Sequence, residues 1–248
     1  MENKLLLISD IHGRTFWKEA VEKYTDMVDK VIIFGDEVDP YPWEGYTRKD
    51  AINALKDVIE YKQKNNNKVI LLWGNHALQY VAKGFYTRSR YDSSNSWDIR
   101  DLYQEHRSFW QLAYEHELGV KKYLFTHAGL MPSWYERNKN IIGELTVDNL
   151  NFLFYSKKGI EILCDVSKLR GGYFKSGSIV WSDVRERLAE DEKVDNWDYQ
   201  IFSHSQQEKY PIIKPTYACI DCRQAFLLNE DGTIESLNQD KGKETENK

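Results

Sequence analysis

The chain has 248 residues, of which 41% are hydrophobic and 29% charged, so its composition is that of a globular protein. Its net charge of −5 excludes a general nucleic-acid binder, because proteins that bind the phosphate backbone carry a basic surface. The first residues lack the basic-then-apolar pattern of an export signal, and three cysteines suit a reducing compartment, so a cytoplasmic protein without membrane contact is expected.

The first third of the chain alternates strand and helix patterns. Apolar runs of strand length lie at residues 5–8, 31–34 and 68–73. Between them, apolar residues spaced three or four apart predict helices over 15–29 and over 47–64, the second capped by Thr47. This order of elements predicts parallel strands, whose carboxyl ends lie at one edge of a sheet.

The rest of the chain combines helical regions with short strands. Residues 78–119 are aromatic and charged with apolar residues at helical spacing, which predicts a helical insertion, and 129–177 is expected to be mixed helical. Short strands are predicted over 178–181, 200–203, 217–220, 225–229 and 233–237. Residues 1–237 are expected to form one domain, followed by a disordered polar tail over 238–248.

Five apolar strand runs are followed directly by short blocks that carry carboxylate, amide or imidazole side chains. The blocks begin at Asp10, Gly35, Gly74, Thr126 and Ser203. One such block is unspecific, but five of them in one chain predict a metal site where the strands end.

The side chains of these blocks are the candidate metal ligands. Oxygen and nitrogen donors without thiolate favour Mn²⁺, with Fe or Zn²⁺ as alternatives. Two ions about 3.5–4 Å apart clamp both oxygens of an in-line displacement, which suits phosphate-ester hydrolysis, and a carboxylate such as Asp36 can bridge them. The candidate ligands are Asp10, His12, Asp36, Asn75, His127 and His204.

His76 directly follows the candidate ligand Asn75. Neighbouring side chains on an extended segment point apart, so we interpret His76 as a general acid for the leaving alkoxide and not as a ligand. Asp39, three residues after Asp36, is the carboxylate expected to orient the His76 ring. The sequence therefore predicts His76 and Asp39 as a catalytic pair.

The blocks resemble the calcineurin-like metallophosphoesterase pattern, which runs D-x-H, G-D-x-x-D, G-N-H-D/E, H and G-H-x-H. The chain is most similar to phosphoprotein phosphatases and their bacterial relatives, including symmetrical diadenosine tetraphosphate hydrolases, and residues 124–132 and 219–222 carry part of this resemblance. The resemblance implies an α/β fold, a four-layer α/β/β/α sandwich with a helical insertion. It also implies that Asp10, His12 and Asp36 hold one ion, and that Asp36, Asn75, His127 and His204 hold the other.

The chain departs from the phosphoprotein phosphatase pattern after Asp39. Pro40 stands where those enzymes have an arginine that grips the substrate phosphate, and Ala77 stands where an acidic residue usually follows the histidine. Residues 203–206 lack both the glycine and the last histidine of the G-H-x-H block, although phosphoprotein phosphatases also lack that histidine. A replacement arginine is expected, because a bidentate guanidinium fits a tetrahedral oxyanion. The candidates are Arg14, Arg170 and Arg185.

The favoured function is a dinuclear metal-dependent phosphohydrolase of phosphomonoesters, in which a hydroxide bridging the ions attacks and phosphoprotein Ser/Thr phosphate is one candidate substrate. One alternative is a hydrolase of nucleotide phosphoanhydrides or phosphodiesters. Another is a non-catalytic scaffold of the same fold, favoured by the absent arginine and by Ala77. Physiological substrate, native metal pair and oligomeric state stay open. The aromatic residues that could stack on a base are Tyr41, Trp43, Phe85, Tyr86, Tyr91 and Trp97.

Overall fold

A computed structural model describes residues 3–82, 89–189 and 194–237, which form two β-sheets flanked by helices. The strands are β1 (Lys4–Ile8), β2 (Lys30–Ile33), β3 (Val69–Leu72), β4 (Trp110–Gln111), β5 (Ala113–Leu118), β6 (Lys121–Thr126), β7 (Tyr199–Phe202), β8 (Ile212–Ile213), β9 (Tyr217–Cys219), β10 (Ala225–Asn229) and β11 (Ile234–Ser236). The helices are α1 (Phe16–Tyr24), α2 (Arg48–Lys64), α3 (Asn75–Val81), α4 (Ser96–Glu105), α5 (Pro132–Ile142), α6 (Val147–Phe152), α7 (Lys157–Leu163) and α8 (Val184–Ala189).

The first sheet has the strand order β11-β10-β1-β2-β3-β4. Strands β1 to β4 run parallel, while β10 lies antiparallel to β1 and β11 antiparallel to β10. The second sheet has the order β5-β6-β7-β9-β8, with β6, β7 and β9 parallel. Strands β1 to β3 therefore end on the same side of the first sheet, as the order of elements predicted, and the second sheet also has a parallel centre.

The side-chain alternation of β1 explains the layers. Leu6 packs in the cluster that contains Ala20 of α1 and Leu55 of α2, so one face of the first sheet is covered by these helices. Leu5 lies in a different cluster, together with Phe125 of the second sheet. Because successive strand residues point to opposite faces, the two clusters define a four-layer α/β/β/α sandwich, and the predicted fold class is confirmed.

Helix α2 begins where the sequence predicted. Thr47 accepts a hydrogen bond from the Asp50 backbone N–H at 3.1 Å, and the Asp50 carboxylate accepts from the Thr47 backbone N–H at 2.7 Å. Such caps stabilise a helix by about 1 kcal/mol. None of the helices among the described residues is long and apolar enough to cross a membrane.

Two secondary-structure predictions are wrong. The end of the predicted helical insertion forms strands, because Ala113 pairs antiparallel with Thr126 and Trp110 pairs with Leu71. The predicted strand at 178–181 is a buried turn, in which the Trp181 N–H donates to the Ser178 carbonyl at 2.9 Å. Trp110 pairs with a strand far earlier in the chain, and the turn at 178–181 packs against the segment of Ala128, whose N–H donates to the Ile179 carbonyl, so local spacing does not reveal these structures. Residues 83–88 and the predicted tail at 238–248 lie outside the described residues.

Candidate metal centre

The five blocks meet at one end of the sandwich, because the strands that precede them end there. Several of the residues involved have left-handed backbone conformations, which non-glycine residues adopt at a cost. Such torsions turn a side chain sharply as the chain leaves a strand, and here they direct the side chains into one buried cluster. The φ angles are 45° at His12, 52° at Asp36, 59° at Asp39 and 63° at His204.

Asp36 lies at the centre of the cluster and is 1% exposed. Its Oδ1 accepts a hydrogen bond from the His76 backbone N–H at 2.9 Å. Its Oδ2 lies 3.4 Å from His127 Nε2 and 3.7 Å from His12 Nε2. Space for the carboxylate depends on Gly74, since a Cβ at that position would collide with the Asp36 side chain.

Donor atoms converge in two overlapping groups that share Asp36. Within each group the carboxylate oxygens and ring nitrogens lie within 4.8 Å of one another. Asn75 adds an amide oxygen, which lies 3.0 Å from His127 Nε2. One group contains Asp10, Asp36, His127 and His204, and the other contains His12, Asp36 and His76.

The imidazoles have fixed tautomers that suit metal binding. His12 Nδ1 donates to the Val38 carbonyl at 2.8 Å, and His127 Nδ1 donates to the Phe34 carbonyl at 2.6 Å. In each ring this leaves Nε2 facing the other donors, and His127 Nε2 lies 3.1 Å from His204 Nδ1. Several donor atoms thus face a common space, which is the arrangement a bound cation requires.

The buried charges of the cluster shift one another's pKa values. Burial opposes protonation of His127, but the Asp36 and Asp10 carboxylates raise its pKa to about 9, so this ring must lose a proton to bind an ion. Burial raises the pKa of the Asp10 carboxyl to about 6, although the nearby His127 opposes the shift. Burial also disfavours the Asp36 carboxylate, but His127 and His76 outweigh it and hold the pKa of Asp36 well below its usual range. Burial lowers the pKa values of His12 and His204, so both rings are neutral at pH 7, as metal ligands must be.

His76 and Asp39 form the predicted pair, with His76 Nδ1 2.7 Å from Asp39 Oδ2. The Asp39 carboxylate also accepts hydrogen bonds from Gln79 Nε2 and from the Tyr80 hydroxyl. Asp39 is 2% exposed, so these three donors fix both the carboxylate and the imidazole that it orients. The Nε2 atom of His76 is thereby turned toward the metal ligands.

One premise of the His76 interpretation is wrong. Asn75 and His76 are the first two residues of helix α3, not part of an extended segment. Neighbours on a helix still diverge, by about 100° around its axis, so the two side chains point in different directions. Asn75 faces His127, while His76 faces Asp39.

The three candidate arginines are all held by other groups beside the cluster. Arg14 makes a two-pronged ion pair with Glu44 at 2.7 and 2.9 Å. Arg170 pairs with Asp183 at 2.9 Å and donates to the His204 carbonyl at 3.1 Å. Arg185 also pairs with Asp183, at 2.8 Å, and its side chain is 60% exposed.

Arg90, which the sequence analysis did not single out, reaches directly into the cluster. Its Nη2 lies 3.1 Å from His76 Nε2 and 3.4 Å from His12 Nε2. Its Nε donates to the Asp39 carbonyl at 2.9 Å, and its guanidinium lies 3.7 Å from the centre of the Tyr41 ring. Arg90 follows Asp39 by 51 positions and belongs to no motif, so no local signal would have identified it.

Glu37 is a second residue that sequence reasoning missed. It is fully buried and accepts hydrogen bonds from the Tyr103 hydroxyl at 2.8 Å and from Trp110 Nε1 at 3.0 Å. Burial raises the pKa of its carboxyl. Glu37 therefore ties the loop that carries Asp36 and Asp39 to helix α4 and strand β4.

The candidate base-stacking residues have different surroundings. Tyr41 lies edge-on to the His12 ring, with 5.1 Å between ring centres. Tyr91 stacks on Tyr80 at 4.7 Å and so supports the Asp39 network. Trp43 and Trp97 are 73% and 71% exposed, and Phe85 and Tyr86 lie outside the described residues.

Comparisons with known proteins agree on one family. A sequence model of the calcineurin-like phosphoesterase family matches residues 4–208. The cold-active protein-tyrosine phosphatase of a psychrophilic Shewanella species has a similar structure, with a TM-score of 0.59, 19% identity, and coverage of 96% of this chain and 81% of that one. A protein serine/threonine phosphatase from Saccharomyces cerevisiae has a TM-score of 0.50 and 12% identity over 92% of this chain and 73% of that one. A search of curated protein sequences found no match. At these identities the two structures show a common fold.

Proposed function

Because the chain belongs to the calcineurin-like phosphoesterase family and is therefore an ester hydrolase, we propose that it cleaves phosphomonoesters with the help of two divalent ions. The observation that carries this proposal is the position of Asp36, a buried carboxylate shared by two groups of metal-ligating side chains. Two ions bound there would neutralise charge on the phosphoryl group and supply a hydroxide nucleophile near neutral pH.

We propose the ligand assignment of the family pattern, although Asp10 lies in the donor group of His127 and His204, with its Oδ2 3.9 Å from His12 Nε2. Asp10, His12 and Asp36 would hold one ion, and Asp36 would share the second with Asn75, His127 and His204. Carboxylate, amide and imidazole donors favour Mn²⁺, with Fe or Zn²⁺ as alternatives.

His76, oriented by Asp39, is the residue that would donate a proton to the leaving oxygen. The Asp39 carboxylate accepts the Nδ1 proton of His76, so Nε2 is the ring atom that faces the reacting groups, and in the imidazolium form it can give its proton to the leaving oxygen. Gln79 and Tyr80 hold Asp39 in place. The His76–Asp39 pair thus acts as an oriented general acid.

Arg90 is the residue that we propose to bind the substrate phosphate. Its guanidinium contacts both His76, the proposed general acid, and His12, a proposed metal ligand, so it could bind a phosphoryl group that these residues share. The Asp39 carbonyl and the Tyr41 ring hold it there. Arg90 would then do the work of the arginine that Pro40 replaces, while Arg170 would position the loop of His204.

Metal analysis tests the proposal against the non-catalytic scaffold. We expect the purified chain, loaded with Mn²⁺ and desalted, to retain about two ions per molecule, measured by inductively coupled plasma mass spectrometry, and to hydrolyse an aryl phosphate. Fewer than one ion, together with no turnover, would favour the scaffold. Parallel assays with phosphoserine and phosphotyrosine peptides, mononucleotides and diadenosine polyphosphates would separate monoester from anhydride or diester cleavage.

Replacing Arg90 by Ala is expected to lower kcat/KM for phosphomonoesters about 10²-fold, because one strong donor to the developing oxyanion is lost. Inorganic phosphate should also inhibit the variant more weakly, while the Mn²⁺ content stays at its wild-type level. Arg185→Ala is the matched control, since its side chain is largely exposed and paired with Asp183. Full activity in Arg90→Ala would refute the assignment.

A further inference from the structure

The loop that follows Asp39 has an unusual composition, Pro40-Tyr41-Pro42-Trp43-Glu44. The far end of this loop is fixed by Glu44, which pairs with the Arg14 guanidinium at 2.7 Å and with Arg223 Nε at 3.0 Å. A short 3₁₀ turn starts at Pro42, and Gly45 closes it at a φ of 78°. The loop is therefore held at both ends, by Asp39 and by Glu44.

The two aromatic side chains of this loop form a row that leads away from the metal ligands. Tyr41 lies 5.1 Å from the ring centre of His12, and Trp43 lies 4.9 Å from the ring centre of Tyr41. Arg90 covers one face of Tyr41 at 3.7 Å. The row thus starts beside a candidate metal ligand, passes the residue proposed to bind phosphate, and ends at an indole.

Packing does not account for Trp43. Its side chain is 73% exposed, and it belongs to none of the buried hydrophobic clusters of the described residues. The Trp43 indole is exposed to solvent on an anchored loop beside the candidate site. It is therefore suited to stack on an aromatic ring of a ligand. The group that extends from a phosphate bound at Arg90 is the leaving group of the substrate.

We propose that Tyr41 and Trp43 select phosphomonoesters whose leaving group is a phenol, an inference that rests on the proposed function. In the reaction, hydroxide bonds to phosphorus, the bond from phosphorus to the phenolic oxygen breaks, and that oxygen takes the proton from His76 Nε2. Tyr41 lies beside both His12 and Arg90, so the phenolic ring of a phosphate bound at Arg90 would be next to Tyr41, and Trp43 extends the same aromatic surface.

The selection is measured with two peptides of one sequence that carry either phosphotyrosine or phosphoserine. For the Mn²⁺-loaded chain we expect a higher kcat/KM for the phosphotyrosine peptide. Trp43→Ala should lower this preference about tenfold, which corresponds to the free energy of a good aromatic contact. Trp43→Phe should keep most of it. Trp97→Ala is the matched control, because Trp97 is equally exposed but lies on α4 beside Arg100.

A binding measurement separates failure of this inference from failure of the proposed function. By calorimetry, phenylphosphonate should bind the Mn²⁺-loaded chain more tightly than methylphosphonate, and Trp43→Ala should remove most of the difference. If neither peptide is hydrolysed but this binding preference is present, the proposed function fails and the aromatic selection stands. The selection of phenolic esters would be overturned if Trp43→Ala leaves the preference for the phosphotyrosine peptide unchanged. It would also be overturned if Trp43→Ala loses activity only toward nucleoside monophosphates.

Discussion

Asp36→Asn is expected to reduce the turnover of aryl and alkyl phosphates by about 10³-fold or more and to leave the chain with fewer than two bound Mn²⁺ ions. Metal ions stabilise a phosphoryl transition state by several kcal/mol, and each 1.36 kcal/mol corresponds to a tenfold change in rate. Asp36 belongs to both donor groups, so its charge would be lost from both proposed metal positions at once. The measurements are steady-state kinetics and metal content of the same preparation.

The variant is nearly isosteric, which makes a structural explanation testable. An amide oxygen at position 36 can still accept the hydrogen bond from the His76 backbone N–H. Thermal unfolding followed by circular dichroism checks that the chain still folds. Asp98→Asn, which removes an exposed carboxylate on α4, is the control for the change in charge. A folded Asp36→Asn protein with two ions and wild-type turnover would contradict the shared-ligand assignment.

His76→Ala is expected to lower kcat for an alkyl phosphate by about 10²–10⁴-fold, the range of general acid catalysis. The loss should be smaller for nitrophenyl phosphate, because nitrophenolate leaves without needing a proton. This dependence on the leaving group is the specific sign of a proton donor. We would measure kcat for a series of phosphate esters whose leaving groups differ in basicity.

The metal content of His76→Ala shows whether His76 is a general acid or a metal ligand. Its ring contacts Asp39, but it also lies in the donor group of His12 and Asp36. A general acid predicts that His76→Ala keeps two Mn²⁺ ions, whereas loss of an ion would make His76 a ligand. Asp39→Asn should cause a smaller loss of kcat in the same direction, with unchanged metal content, because the ring stays present but is held less firmly.

Much of the site could be predicted from the sequence because each side chain is tied to a strand. Asp10, Asp36 and Asn75 follow β1, β2 and β3 within a few residues, and hydrophobic runs mark those strands clearly. Parallel strands end on the same side of a sheet, so local patterns were enough to place these side chains together. The capping box at Thr47 was visible for the same reason, since a cap involves only neighbours.

The failures share a different cause. Strand β5 exists because Ala113 pairs with Thr126 across a hairpin, yet its residues continue a spacing that also fits a helix. The run at 178–181 is buried by a loop, in which the Ile179 carbonyl accepts from the Ala128 N–H at 2.8 Å. Strand pairing and burial by a loop are both contacts with another segment, and hydrophobic spacing within one segment does not distinguish a strand from a helix or a buried turn.

The sequence by itself predicted the candidate donor set and the reaction class, because residue types and strand order can be read from local patterns. The tertiary structure decided which arginine reaches the cluster. Neighbouring carboxylates form ion pairs with Arg14, Arg170 and Arg185. Arg90 lies far from the other site residues in sequence, but its segment packs beside Tyr41 and places its guanidinium next to His76. A long, flexible side chain can reach a site from any segment that packs nearby, so its role follows from packing and not from its place in a motif.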